Sequence, residues 1–297
     1  MDDAELAEVS EEAASGRVAE ILGDVRQVLR VTQAAFFFRA LAVHEAYLAA
    51  AWEALRPNVS IAYFERCADG LRMRMVPPMP PDVPEHGEAL GELGYPAERV
   101  AAIAAILDLY NYANPKNLIL AAALKGALNG VRMGGVKPGH AGDLAPLPLG
   151  PPRSMRKAPL LDPARAQGRA RAVFDEIGRS SPGGAVGSVW RALGNHPEYL
   201  ELAWGFVREE SRKKGFEITV SLAQGAAAAA AQEFPHPVAL GRARALALGL
   251  GEAEVDLIDR TLDRFIHLIP RTNSSILLLK AALAGEGRVR RKPFEGE

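Results

Sequence analysis

The chain repeats itself, and that constrains its fold more than any other feature. Residues 38–52 read FRALAVHEAYLAAAW, and residues 190–204 read WRALGNHPEYLELAW. At an offset of 152, Arg39, Ala40, Leu41, His44, Tyr47, Leu48, Ala51 and Trp52 recur as Arg191, Ala192, Leu193, His196, Tyr199, Leu200, Ala203 and Trp204. At an offset of 155, Leu93, Gly94, Val100, Ile103, Leu107, Asp108 and Pro115 recur as Leu248, Gly249, Val255, Ile258, Leu262, Asp263 and Pro270, and Leu124, Lys125, Ala127 and Leu128 as Leu279, Lys280, Ala282 and Leu283. Two fused copies of one unit are expected to pack about an approximate two-fold axis, with a cleft where they meet.

The copies divide the 297 residues into a flexible tail over 1–16, a first repeat over 17–130, a linker over 131–163, a second repeat over 164–285 and a polar tail over 286–297. Gly and Pro crowd the linker and forbid long regular structure there. Each repeat reads as helical. Phe37, Leu41, His44, Leu48, Trp52 and Leu55 fall three or four residues apart, as one helix face requires, and Val189, Leu193, His196, Leu200, Trp204 and Val207 repeat the stripe. The reading is an all-α fold of five or six helices per half, a pseudo-two-fold dimer within one chain.

Hydrophobic residues make up 48% of the chain, enough for a substantial core. A formal net charge of -1 and the lack of a dominant basic stripe argue against a nucleic-acid partner. The single cysteine, Cys67, excludes an internal disulfide framework and a cysteine-built zinc site. With no apolar run long enough for a membrane span and an acidic N-terminus, the expected location is cytoplasmic. No nucleotide-binding loop or metal-ligand spacing appears, so neither a cofactor nor a metal is expected. A homodimer stays open.

In both copies a proline separates two apolar segments, at Pro115 in YNYANPKN and Pro270 in FIHLIPRT, and predicts a helix, a break and a new helix beginning at the proline. Two readings of Asn114 stand: a cap for the new helix, or, with Lys116 and Asn117 close by, part of an anion site for a small carboxylate. The second copy offers Ile269, Arg271 and Thr272 there, so the polar side of the cleft would come mainly from the first. The paired His44 and His196, Arg39 and Arg191, and Asp108 and Asp263 recur symmetrically and read as structural, the arginines as ion-pair members and the aspartates as partners of Lys or Arg. Ser188 reads as a helix cap or, failing that, a nucleophile.

The doubled Arg-Ala-Leu…His…Tyr-Leu…Ala-Trp signature and the Asn-Pro pair resemble the group I 2-haloacid dehalogenases, which hydrolyse both D- and L-2-halocarboxylic acids. The resemblance spans about residues 17–285. It implies a pocket for a small carboxylic acid and an aspartate, just before the second Arg-Ala-Leu, that activates a water to displace halide directly. Here Ser188, Val189 and Trp190 stand at that place, with Val189 where the aspartate is expected. A valine accepts no proton. Asn114 matches the family asparagine that positions the water, Phe37 matches a pocket aromatic, and Phe265 stands where a tyrosine is expected. The candidate substrate-binding set is Phe37, Asn114, Lys116, Ser188, Trp190, Phe265 and Arg271. Two functions follow: a hydrolase with another base, Asp175, Glu176 or Asp263, or a non-catalytic carboxylate-binding or structural relative.

Overall fold

The structure, a computed structural model, describes residues 7–140, 142–181 and 184–296. The described residues form helices and loops, with one isolated antiparallel bridge between Ile61 and Pro146. The first half carries α1 (Gly16–Leu29), α2 (Phe36–Leu41), α3 (Glu45–Val59), α4 (Ala62–Arg74), α5 (His86–Glu92) and α6 (Ala97–Leu128). The second carries α7 (Gly168–Ser180), α8 (Ser188–Leu193), α9 (Pro197–Glu210), α10 (Lys214–Gln232), α11 (Arg242–Ala247) and α12 (Glu252–Ala284). No helix among the described residues is long and apolar enough to cross a membrane.

Equivalent helices make equivalent contacts. The Trp52 indole and the Arg56 guanidinium of α3 donate to Asp24 of α1 at 2.7 and 2.6 Å, and Trp204 and Arg208 of α9 both donate to Glu176 of α7 at 2.9 Å. At the centre, α6 and α12 pack along one another more extensively than any other pair. Lys125 of α6 meets Asp263 of α12 at 2.7 Å, while Lys280 of α12 meets Asp108 of α6 at 2.5 Å. Exchange of the halves turns the one pair into the other. From Leu118 to Leu124 every residue of α6 is apolar and buried, so this stretch is apolar all round rather than along a single stripe.

The expected break at each proline is absent. α6 runs through Pro115 and α12 through Pro270 without interruption, so Asn114 lies inside a helix and caps nothing. A proline in a helix frees the carbonyl four residues before it. For Pro270 that carbonyl is Ile266, and the Gln224 side chain of α10 donates to it at 3.1 Å. The long helices do end as expected, with Gly130 and Gly285 following at positive φ.

A second difference lies in the apolar stripes, each of which spans two helices rather than one. The chain turns at 42–44 and again at 194–196, leaving His44 and His196 at the N-caps of α3 and α9. At the second turn Pro197 favours extended backbone at His196 and suits the first helical position. His44 Nδ1 lies 3.7 Å from Glu254, and burial pulls the His196 imidazole below its ordinary range.

The segment over 131–163 ties the halves together. Gly134 and Val136 donate to the carbonyls of Gln232 and Phe234, Leu147 to Ser60 and Gly150 to Gln27, and Leu161 pairs with Arg191. Gly134 is needed at this crossing: its φ is +75°, and a Cβ there would run into the carbonyl of His236. Ahead of α1, Val9 donates to the Arg39 carbonyl at 3.0 Å, and Glu8 meets Arg39 at 2.7 Å and Arg191 at 3.1 Å.

Candidate functional site

A cavity of about 60 Å³ lies where α2 and α6 of the first half meet α8 and α12 of the second. One water needs roughly 10–15 Å³ on this measure, so the space suits a ligand of about five or six heavy atoms. The halves contribute aromatic rings that interlock. Phe265 of α12 stands edge-on to Phe36 at 5.3 Å and to Phe37 at 5.5 Å, and all three line the cavity. Leu109, Val189 and Ile269 also belong to its apolar wall. Val189 is 2% exposed, and its neighbour Ser188 also faces the cavity.

The polar wall comes mostly from the first half. Asn114 and Asn117 lie three residues apart on one face of α6 and both line the space, opposite Thr272 of α12. The Asn114 Nδ2 is buried and has no hydrogen-bond partner. Gln33 donates to the Tyr110 hydroxyl at 2.9 Å and accepts from the Ala158 backbone at 3.2 Å, which fixes both side chains at the cavity edge. Burial raises the Tyr110 phenol well above its ordinary range, so it stays protonated as a donor. Arg39 is the charged residue of the lining: it donates to the Ala34 carbonyl at 2.5 Å and to Ser188 Oγ at 3.3 Å.

Of the residues singled out in the sequence, Phe37, Asn114, Ser188, Val189 and Phe265 therefore converge on one space. Lys116, Trp190 and Arg271 lie off it. Lys116 points into the body, 2.7 Å from Glu65, 3.0 Å from the Leu29 carbonyl and over the Tyr112 ring. Burial pulls its ammonium down to about 8, against the opposing pull of Glu65. Trp190 packs edge-on against Trp204 at 5.5 Å, and Arg271 forms a fork with Glu217 at 2.7 Å. Ser188 opens α8, whose N-cap is Gly187, so it lies one residue inside the helix rather than at its cap.

None of the alternative bases reaches the cavity. Asp175 pairs with Arg171 at 2.9 Å, Glu176 accepts from Trp204 and Arg208, and Asp263 pairs with Lys125. Among the described residues no aspartate, glutamate or histidine lines the space. The sequence reading missed Gln33, Phe36, Arg39 and Tyr110 as cavity residues. Phe36 was legible as part of the triplet Phe36-Phe37-Phe38, but nothing local marks Gln33 or Tyr110, which meet only through the fold.

The family model described as halocarboxylic acid dehydrogenase DehI matches residues 33–181. A configuration-inverting 2-haloacid dehalogenase of Pseudomonas sp. (strain 113) is 33% identical over 218 residues, covering 72% of this chain and 70% of that protein. An (R)-2-haloacid dehalogenase of Pseudomonas putida is 30% identical, covering 67% of each. Among solved structures, a D-2-haloacid dehalogenase mutant in complex with D-2-CPA superimposes with a TM-score of 0.86 at 26% identity, over 94% of this chain and 96% of the other. The all-helical architecture, the cavity walled by both halves and these likenesses together make the chain a member of the DehI-type 2-haloacid dehalogenase family.

Proposed function

We propose that this chain binds a small 2-substituted carboxylic acid in the cavity between its halves and does not displace halide through a carboxylate-activated water. One observation carries the reading: the cavity has an arginine and a row of neutral hydrogen-bonding groups, but no carboxylate lines it among the described residues. Arg39, Ser188, Asn114 and Tyr110 suit an anion's oxygens. Phe37, Phe265 and Val189 suit a short apolar or halogen substituent. A general base must reach its proton directly or through one water, and Val189 has no atom that accepts one.

The test is calorimetric titration with isobutyrate and with each enantiomer of 2-bromopropionate, paired with thermal unfolding. A ligand at 100 times its Kd stabilises the folded state by about 2.7 kcal/mol, so Tm should rise by several degrees. No heat and no shift with any of the three would sink the carboxylate-site reading.

A further inference from the structure

Arg39 and Arg191 occupy equivalent places in the two copies, and in the folded chain both reach one carboxylate, that of Glu8. Glu8 Oε2 lies 2.7 Å from Arg39 Nε and Oε1 lies 3.1 Å from Arg191 Nη1. The remaining polar contacts of the two guanidiniums are neutral: Ala34 and Ser188 for Arg39, Leu161 for Arg191. The next acids along the segment are engaged elsewhere, Glu11 with Arg26 at 2.7 Å and Glu12 with Lys157 at 3.6 Å. Two positive charges thus share one negative charge among the described residues. The Arg39 side chain is 5% exposed against 21% for Arg191 and 24% for Glu8, so water screens the charge least on the Arg39 side.

We propose that Glu8 sets the charge of the ligand this cavity accepts: by bridging Arg39 and Arg191 it leaves one net positive charge beside the cavity, the complement of a single monocarboxylate. The inference rests on the carboxylate-site reading above. Arg39 carries the charge into the cavity wall through its contact with Ser188, and Val9 holds the segment in register by donating to the Arg39 carbonyl at 3.0 Å. Burial dominates the rise in the Tyr110 phenol, and the charges of Arg39 and Arg191 both oppose it. Neither Glu8 nor Arg191 lines the cavity, so both act on a ligand by their charge beside Arg39 and not by contact.

Isobutyrate and isobutyramide provide the test, because each has six heavy atoms in the same shape and only the first is charged. In the native chain the carboxylate should bind more tightly than the amide. Glu8→Gln should tighten isobutyrate on the order of tenfold, the effect of one charge beyond the ligand in a poorly hydrated site, and Arg191→Gln should weaken it by a similar factor. Amide affinity should stay level in both. The double variant, Glu8→Gln with Arg191→Gln, restores the count to one positive charge and should return isobutyrate affinity to near the native value. If both single variants weaken acid and amide alike and the double is weaker still, Glu8 is a structural tie and the inference is overturned. Absence of binding to every variant, the native chain included, overturns the carboxylate-site reading and this inference with it.

Discussion

Asn114 shows how much a single side chain reveals about this site. Its Nδ2 is buried in the cavity wall without a partner. A buried donor left unpaired costs roughly 1–3 kcal/mol, and a ligand oxygen would recover that by accepting from it. Asn114→Ala should therefore weaken isobutyrate binding about tenfold, while the Tm of the ligand-free protein holds or rises slightly. Titration and thermal unfolding of one variant check both halves of that statement; a falling Tm with unchanged affinity would assign Asn114 to the core instead. The sequence grouped Phe37, Asn114, Lys116, Ser188, Trp190, Phe265 and Arg271 in one pocket around Val189; Phe37, Asn114, Ser188, Val189 and Phe265 line the cavity, and Lys116, Trp190 and Arg271 do not. It grouped Lys116 with Asn114 and Arg271 with Ile269 for a single reason, the assumed break at the proline. On an unbroken helix each residue turns about 100°, so two positions on points to the opposite face and three positions on returns to nearly the same one. Lys116 and Arg271 accordingly face away, and Asn117 and Thr272 face the cavity.

At the level of helices, local chemistry and tertiary packing compete at the two prolines. The Asn-Pro pair carries a genuine start signal, but α6 and α12 pack on each other more extensively than any other pair of helices, and this packing overrides it. What no pattern in the sequence announces is the support from another helix, the Gln224 side chain on the carbonyl that Pro270 frees. Gln224→Leu removes that donor and leaves the Ile266 carbonyl unpaired. It should lower stability by about 1–3 kcal/mol, and denaturant unfolding would show it as a shifted midpoint at constant slope. An unchanged midpoint would mean that water or a rearranged neighbour serves the carbonyl equally well. A continuous apolar stripe likewise concealed the change of direction at His44 and His196, the N-cap positions of α3 and α9.

For the molecule as a whole, the described residues carry six α-helices in each half, with reciprocal pairs between Lys125 and Asp263 and between Lys280 and Asp108. Periodicity made the helices legible, and repetition made their grouping legible. The contact of the N-terminal segment with both halves was not, because a short acidic stretch without apolar spacing has no local signal and Glu8 finds its arginines only after the halves have met. The cavity joins the first half's polar wall to the second half's Val189, a pairing proposed to bind a carboxylate without activating water. The most direct measurement is halide release from D- and L-2-bromopropionate and from monobromoacetate, by the native chain and by Val189→Asp. The native chain should release no halide above background and the variant a measurable amount; release by the native chain as fast as by the variant overturns the reading of Val189 as a lost base.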